Sequence, residues 1–204
     1  MIDYLRFNPS GEMEQDIKAF FSLHNKKEVY QHTLDVINEL MYIYEMFGRI
    51  EGESLTACYL HDIGRVVKNE DILHFCDTNY INTTDEERLL PSILHQKTSC
   101  FIAKKVFGVS DEKTLQAIRY HTTLRKKPSI IELEVFLADK MSWKEDEYRE
   151  LALKVKEALT NSKEYAAYVY LSDLNKIKDE LIVYHIDSRE AFEYFQRELM
   201  SRKS

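Results

Sequence analysis

Apolar residues recur every three or four positions along most of the chain, the spacing that places them on one face of an α-helix. The pattern predicts helices over 12–23 and 27–47; in the second, Val29, Leu34, Ile37, Leu40, Met41 and Tyr44 form one stripe. Gly48 is expected to end it, since glycine tolerates the left-handed backbone common just past a helix end. A third helix is expected over 54–67, through Leu55, Tyr59, Leu60 and Ile63. Asn69, Asp71, Asp77, Asn79 and Asn82 interrupt the next stretch, so 68–85 reads as a short helix plus a loop. Thr84-Asp85-Glu86-Glu87 has the form of a capping box, in which a hydroxyl and a carboxylate satisfy amides left free at a helix start, and a short helix near 85–90 follows. Further helices are predicted over 95–107, 111–123 and 130–142, the last opened by a second box, Ser129 to Glu132, directly after Pro128. Amphipathic helices over 144–160 and 163–184 come next, and Asp187-Ser188-Arg189-Glu190 is expected to cap a final one. No repeat or low-complexity tract interrupts this order.

Composition supports the helical reading. Five glycines and three prolines are too few for the many tight turns of a sandwich or barrel, which leaves an all-α bundle. The length of 204 residues favours a single domain over 1–204. With 44% hydrophobic and 31% charged residues, neither a disordered nor a membrane class is indicated. No run of about 18 apolar residues exists, and Met1-Ile2-Asp3-Tyr4-Leu5 lacks a secretory pattern, so a cytoplasmic protein without membrane contact is expected. Cys58, Cys76 and Cys100 are odd in number and show no CxxC spacing, which argues against a disulfide framework and a thiolate zinc site. A net charge of −7 disfavours a nucleic-acid polymer as partner, while a small phosphorylated ligand needs only a local basic pocket.

The candidate chemistry lies in His32, His61, Asp62, His95, His121 and Asp139, polar residues set in predicted helices. Burying so many imidazoles and carboxylates without partners would cost several kcal/mol each, roughly, whereas divalent metal makes the same cluster favourable. Iron, manganese, cobalt and zinc all accept mixed imidazole and carboxylate ligands. Two such ions would outweigh the two carboxylates and leave positive charge for hydroxide and phosphate. A water activated on metal is a nucleophile at neutral pH, so hydrolysis of a phosphoanhydride or phosphoester follows.

His32, then His61-Asp62, then a distant Asp139 resembles the H…HD…D pattern of the HD superfamily of metal-dependent phosphohydrolases. Leu94-His95, Phe101 to Val109, Ala117 to Thr123 and Phe136-Leu137-Ala138-Asp139 are more narrowly similar to the YqeK group, symmetrical diadenosine tetraphosphate hydrolases. The similarity spans roughly residues 28–140. It implies an HD-type helical core over about 28–142 with a C-terminal helical extension over about 144–204. It also implies two metals, usually iron, held by His32, His61, Asp62, His95, His121 and Asp139, with Asp62 bridging them, and cleavage of diadenosine tetraphosphate into two ADP.

Two departures from that group stand out: Arg65 replaces a lysine three residues after the HD aspartate, and Lys140-Met141-Ser142-Trp143-Lys144 replaces a Tyr-Ile-Glu-Pro-like stretch. Arg65 is assigned a catalytic role beside Asp62, neutralising phosphate with its planar donor fork. Thr122 and Arg125 join it as substrate-binding candidates, since the resembling group carries an arginine after its His-Thr-Thr. Cys58, one turn before His61, reads as small buried packing. His24, His74 and His185 match no motif and read as structural. The partner is then a small-molecule nucleotide, with a homodimer left open. Two alternatives stay beside the tetraphosphatase: an HD nucleotide phosphohydrolase of other specificity, and a nucleotide-binding regulatory protein with weak or no turnover.

Overall fold

A computed structural model describes residues 3–48 and 52–201; Met1, Ile2 and the last three positions of the expected single domain lie outside the described residues. The order is α1 (Met13–Leu23), α2 (Lys27–Phe47), α3 (Gly52–Leu60), a 3-10 turn (Ile63–Val66), α4 (Ile72–Thr78) and α5 (Asp85–Leu89). A second 3-10 turn (Pro91–Leu94), α6 (His95–Lys105), α7 (Glu112–Tyr120), α8 (Ile130–Met141), α9 (Asp146–Ala158), α10 (Lys163–Lys176) and α11 (Ile186–Ser201) complete it. The fold is all-α, with no strand among the described residues. No helix of the described residues is long and apolar enough to cross a membrane.

Helix α8 is the centre of the bundle. Every residue from Ile131 to Met141 is buried, including Glu132, Glu134, Asp139 and Lys140. Helices α2, α3, α7, α9 and α10 all pack against it, and α11 reaches the bundle through α10. The buried polar groups on α8 are matched individually: Glu134 accepts from Ser54 Oγ of α3 at 2.5 Å and from Lys163 Nζ of α10 at 2.7 Å. That pair ties three helices at one point, because a carboxylate without partners there would be costly to desolvate.

Local signals read from the sequence set several boundaries. Both capping boxes form, at Thr84–Glu87 and Ser129–Glu132. Gly48, at φ +75°, ends α2 with its N–H on the Tyr44 carbonyl at 2.7 Å. Tertiary contacts moved others. The buried stripe of α2 is Val29, Thr33, Val36, Leu40 and Ile43; Leu34, Ile37 and Met41 are half-buried and Tyr44 is 46% exposed. The expected stripe was rotated because α2 packs on both α3 and α8, and its face follows where those helices lie. Helix α10 stops at Lys176, short of 184: Lys178, Asp179 and Glu180 are exposed and supply no apolar side to bury.

The final helix starts at Ile186, one residue before its expected cap. His185 Nδ1 accepts from the Asp187 N–H at 3.2 Å, and Glu86 Oε2 accepts from the Ile186 N–H at 3.1 Å. One neighbouring and one distant side chain, His185 and Glu86, therefore do the work that a local Asp187 cap would have done. His185 is itself buried, 3.5 Å from Glu87 Oε1, in keeping with a structural role. The three cysteines are free thiols.

Candidate metal centre

The expected helix over 54–67 breaks, and the break builds the site. Helix α3 ends at Leu60, His61 and Asp62 occupy a turn with Asp62 at φ −107° and ψ 11°, and the chain continues as the 3-10 turn. In an uninterrupted helix adjacent side chains diverge by about 100°, whereas here both residues face one cluster. Gly64 makes the break possible by lying flat on α6. A Cβ there would sit 2.6 Å from the His95 carbonyl oxygen, and closer still to Ser99 N and Thr98 Oγ1. Backbone groups released by the break find partners on α6: the Gly64 N–H donates to Ser99 Oγ at 2.8 Å, and Thr98 Oγ1 donates to the Gly64 carbonyl at 3.4 Å.

His121 likewise falls just past α7, in a turn rather than inside the predicted helix over 111–123, and His95 is the first residue of α6. His32 and Asp139 stand within α2 and α8. Six side chains from five segments of the chain thus meet. His61, Asp62, His95, His121 and Asp139 are buried, and His32 forms the partly open edge.

Three of the imidazoles are oriented by the same device. Nδ1 of His61, His95 and His121 lies 2.8, 2.7 and 2.8 Å from the carbonyl oxygens of Cys58, Ser92 and Ile118, each three residues earlier. A carbonyl only accepts, so Nδ1 carries the proton and the Nε2 lone pair points inward. Those lone pairs converge: His95 Nε2 is 3.0 Å from His121 Nε2, and His61 Nε2 is 3.3 Å from His32 Nε2. Two facing lone pairs repel unless a proton or cation lies between them.

Asp62 divides the cluster in two. Its Oδ1 lies 3.3 Å from His95 Nε2 and 3.4 Å from His121 Nε2, with no hydrogen-bond partner although fully buried. Its Oδ2 lies 3.6 Å from His32 Nε2 and 3.7 Å from His61 Nε2. Asp139 Oδ1 adds to the second half, 3.2 Å from His32 Nε2. His32, His61 and Asp62 form one group that could hold an ion, and Asp62, His95 and His121 form another. The orphaned Oδ1, the converging lone pairs and the imidazole and carboxylate donor set all fit divalent cation binding.

Burial works against ionisation of Asp62, yet the Arg65 guanidinium and the surrounding imidazoles hold its carboxyl well below the usual carboxylate range. Burial opposes ionisation of Asp139 in the same way, and Lys140 and His32 bring it down. Burial pushes His61 down to about 4 and, with Arg65 nearby, His95 well below the usual imidazole value. For His32, burial is outweighed by Asp139 and the net direction is upward. Both carboxylates are therefore ionised and the His61 and His95 imidazoles neutral at neutral pH, the protonation states a metal requires. The Cys58 thiol is pushed up by burial; its contribution to the site is the carbonyl that aligns His61.

Around the cluster, Arg65 donates from Nε to Asp62 Oδ2 at 2.5 Å and places Nη2 3.2 Å from His95 Nε2, while 45% of its side chain stays exposed. Thr122 Oγ1 lies 3.0 Å from His95 Nε2. Both line a cleft of about 610 Å³ that opens onto Asp62 and Asp139. Arg125 is placed differently: its guanidinium donates to Glu132 at 2.5 and 3.1 Å and lies 5.2 Å from the Tyr120 ring, apart from the cleft wall.

The cleft also contains residues that no motif singled out. Lys140 is buried, donates to Asp139 Oδ2 at 2.7 Å, and sits 5.3, 4.8 and 5.5 Å from the rings of Phe136, Trp143 and Tyr170. Trp143 and Tyr148 line the same cleft. Lys140 and Trp143 lie in the segment that departs from the resembling group, which is the signal that could have drawn attention to them.

The HD domain family matches residues 29–191. An uncharacterized protein in the pepC 5' region of Lactococcus lactis subsp. cremoris is 35% identical over 135 residues, 66% of this chain and 68% of that protein. A symmetrical bis(5'-nucleosyl)-tetraphosphatase of Halalkalibacterium halodurans is 29% identical over 137 residues, 63% of this chain and 66% of the enzyme, so the match spans about two thirds of each relative. The solved structure of a predicted HD superfamily hydrolase involved in NAD metabolism from Clostridium acetobutylicum shares the fold. It has a TM-score of 0.78 at 22% identity and covers 90% of this chain and 97% of its own.

Proposed function

Because the chain belongs to the HD domain family of metal-dependent phosphohydrolases, we propose that it hydrolyses nucleotide phosphoanhydrides, with symmetrical cleavage of diadenosine tetraphosphate into two ADP as its first activity. The relatives named as symmetrical bis(5'-nucleosyl)-tetraphosphatases support this choice of substrate. The observation that carries the reading is the division of Asp62, with one oxygen toward His95 and His121 and the other toward His32 and His61. In this proposal His32, His61, Asp62 and Asp139 would hold one ion, and Asp62, His95 and His121 would hold the other.

Two divalent ions, iron first with manganese, cobalt or zinc as alternatives, would bring the pKa of water towards about 7 and polarise a phosphoryl oxygen. The protein's own groups do the rest. Arg65, anchored on Asp62 through Nε, keeps the far side of its planar fork free to hold a phosphate oxygen at the cleft mouth. Thr122 supplies a hydroxyl beside His95, and Lys140 holds Asp139 from behind so that Oδ1 faces His32. Arg125 serves substrate only when it exchanges Glu132 for phosphate. An HD nucleotide phosphohydrolase of other specificity is the second reading, favoured by Lys140 and Trp143 in the cleft where the resembling group has a different segment.

The test loads the protein anaerobically with each metal in turn, measures bound metal by elemental analysis and resolves the products of diadenosine tetraphosphate by chromatography. ADP as sole product is expected, with bound metal lost in Asp62→Ala. Turnover of other nucleotides without ADP release from this one would replace the first reading by the second. Metal-replete protein that cleaves no nucleotide would reject both.

A further inference from the structure

The space around the metal centre differs in character from one end to the other. On one side, the 610 Å³ cleft is walled by Trp143 and Tyr148, whose ring centroids are 5.1 Å apart, with the carboxylates of Glu28 and Glu145 at its edge. On the other side, a second pocket of about 310 Å³ shares Arg65 and Val29 with the first and is lined by Lys26, Lys68 and Asn69. It has no carboxylate and no phenyl, phenol or indole ring in its wall, only the His95 imidazole. Lys26 has no ion-pair partner among the described residues, and Lys68 reaches only the exposed Glu70 at 3.4 Å.

These two ends suit different parts of one ligand. A nucleobase stacks on indole and phenol faces and can donate an exocyclic amino group to a carboxylate. Two carboxylates at that end would repel a phosphate chain. The lysine end offers what a phosphate chain needs and gives a second base no indole or phenol face to stack on. The centre lies between them, since Asp62 and Arg65 line the first cleft and Arg65 and His95 line the second.

Resting on the proposed phosphohydrolase reading, we infer that the cleft binds nucleoside polyphosphates in one direction, with the base on Trp143 and Tyr148 and a free terminal phosphate on Lys26 and Lys68. Uncapped mononucleoside polyphosphates are then substrates at least as good as dinucleoside ones. Water adds across one anhydride: its oxygen bonds to the phosphorus, the bridging oxygen leaves with the departing phosphate, and a proton passes to solvent. Cleavage of adenosine 5'-tetraphosphate at its middle anhydride gives ADP and inorganic pyrophosphate.

Trp143 is the single tryptophan of the chain, so its emission reports the base end without any turnover. In the metal-loaded protein ADP is expected to quench that emission, while inorganic tripolyphosphate, which has no base, leaves it unchanged. The double variant Lys26→Ala/Lys68→Ala should raise KM for adenosine 5'-tetraphosphate about tenfold, the sum of two exposed ion pairs, and KM for diadenosine tetraphosphate less than about threefold. Equal quenching by tripolyphosphate, no quenching by ADP, or equal effects of the lysine change on both substrates would each overturn the inference. Should neither substrate turn over, the same emission titration gives Kd values in place of KM. ADP-selective quenching with lysine-dependent tetraphosphate binding would then uphold the cleft's direction while the hydrolase reading fails.

Discussion

Replacing Gly64 by alanine tests whether the packing of the 3-10 turn on α6 holds the metal centre in shape. The added methyl would meet the Ser99 nitrogen, Thr98 Oγ1 and, at 2.6 Å, the His95 carbonyl oxygen. Two of these three atoms are backbone and cannot swing aside, so the turn and α6 must separate. Overpacking of this kind costs about 1–3 kcal/mol, and the rigid neighbours place this site near the top of that range. Alanine's better helical propensity returns up to about 1 kcal/mol, leaving roughly 2 kcal/mol of net destabilisation. For a chain of this length that is a fall in Tm of roughly 4–8 °C.

The separation also moves His95 away from Asp62, so metal affinity should fall by about tenfold or more. Thermal unfolding followed by circular dichroism with excess chelator isolates the packing effect, and metal titration measures the second. Gly52→Ala is the control, since nothing lies within 4 Å of a Cβ there, and its Tm should be unchanged or slightly higher. A Gly64→Ala protein whose Tm stays within about 1 °C of wild type, with unaltered metal affinity, would refute the argument.

Other outcomes follow from the same geometry. Lys163→Met leaves Glu134 buried with only Ser54 as partner, and should cost about 3 kcal/mol in urea unfolding at neutral pH; a loss under about 1 kcal/mol would mean water reaches that carboxylate. Burial alone would raise Glu87, but His185, Lys97 and the Thr84 N–H bring it to about 2 from the ordinary 4.5. A depressed carboxylate stabilises the fold above its unfolded value and loses that contribution as pH falls from about 4.5 through about 2, here about 3 kcal/mol. Glu87→Gln should accordingly be less stable at pH 7 and show a flatter acid limb, and parallel curves would contradict it. Lys140→Met removes the donor that orients Asp139 and should weaken metal binding about tenfold to a hundredfold and, by leaving that buried carboxylate with His32 alone, lower Tm under chelator as well; unchanged metal affinity would show that His32 alone orients that carboxylate.

How far these features could be read in advance depends on their range along the chain. Helical periodicity, the two capping boxes and the Gly48 terminator are local, and local hydrogen bonds and backbone sterics decided them. The six convergent side chains were legible because buried imidazoles and carboxylates have few other uses. The break after Leu60 was not legible, because an apolar helical pattern runs straight through it. What interrupts the helix is Gly64 meeting the backbone of α6 some thirty residues later.

The sequence by itself determined an all-helical chain, most of its helix boundaries and the identity of the residues that gather at the centre, since each depends on neighbours within a few positions or on side-chain chemistry. Only the tertiary structure decided that α2 turns Thr33 and Val36 inward, that Arg125 is held by Glu132, and that Lys140 sits among Phe136, Trp143 and Tyr170. It also decided that one side of the cleft is aromatic and the other cationic. Such properties belong to the space between elements, and that space exists only once the helices have packed.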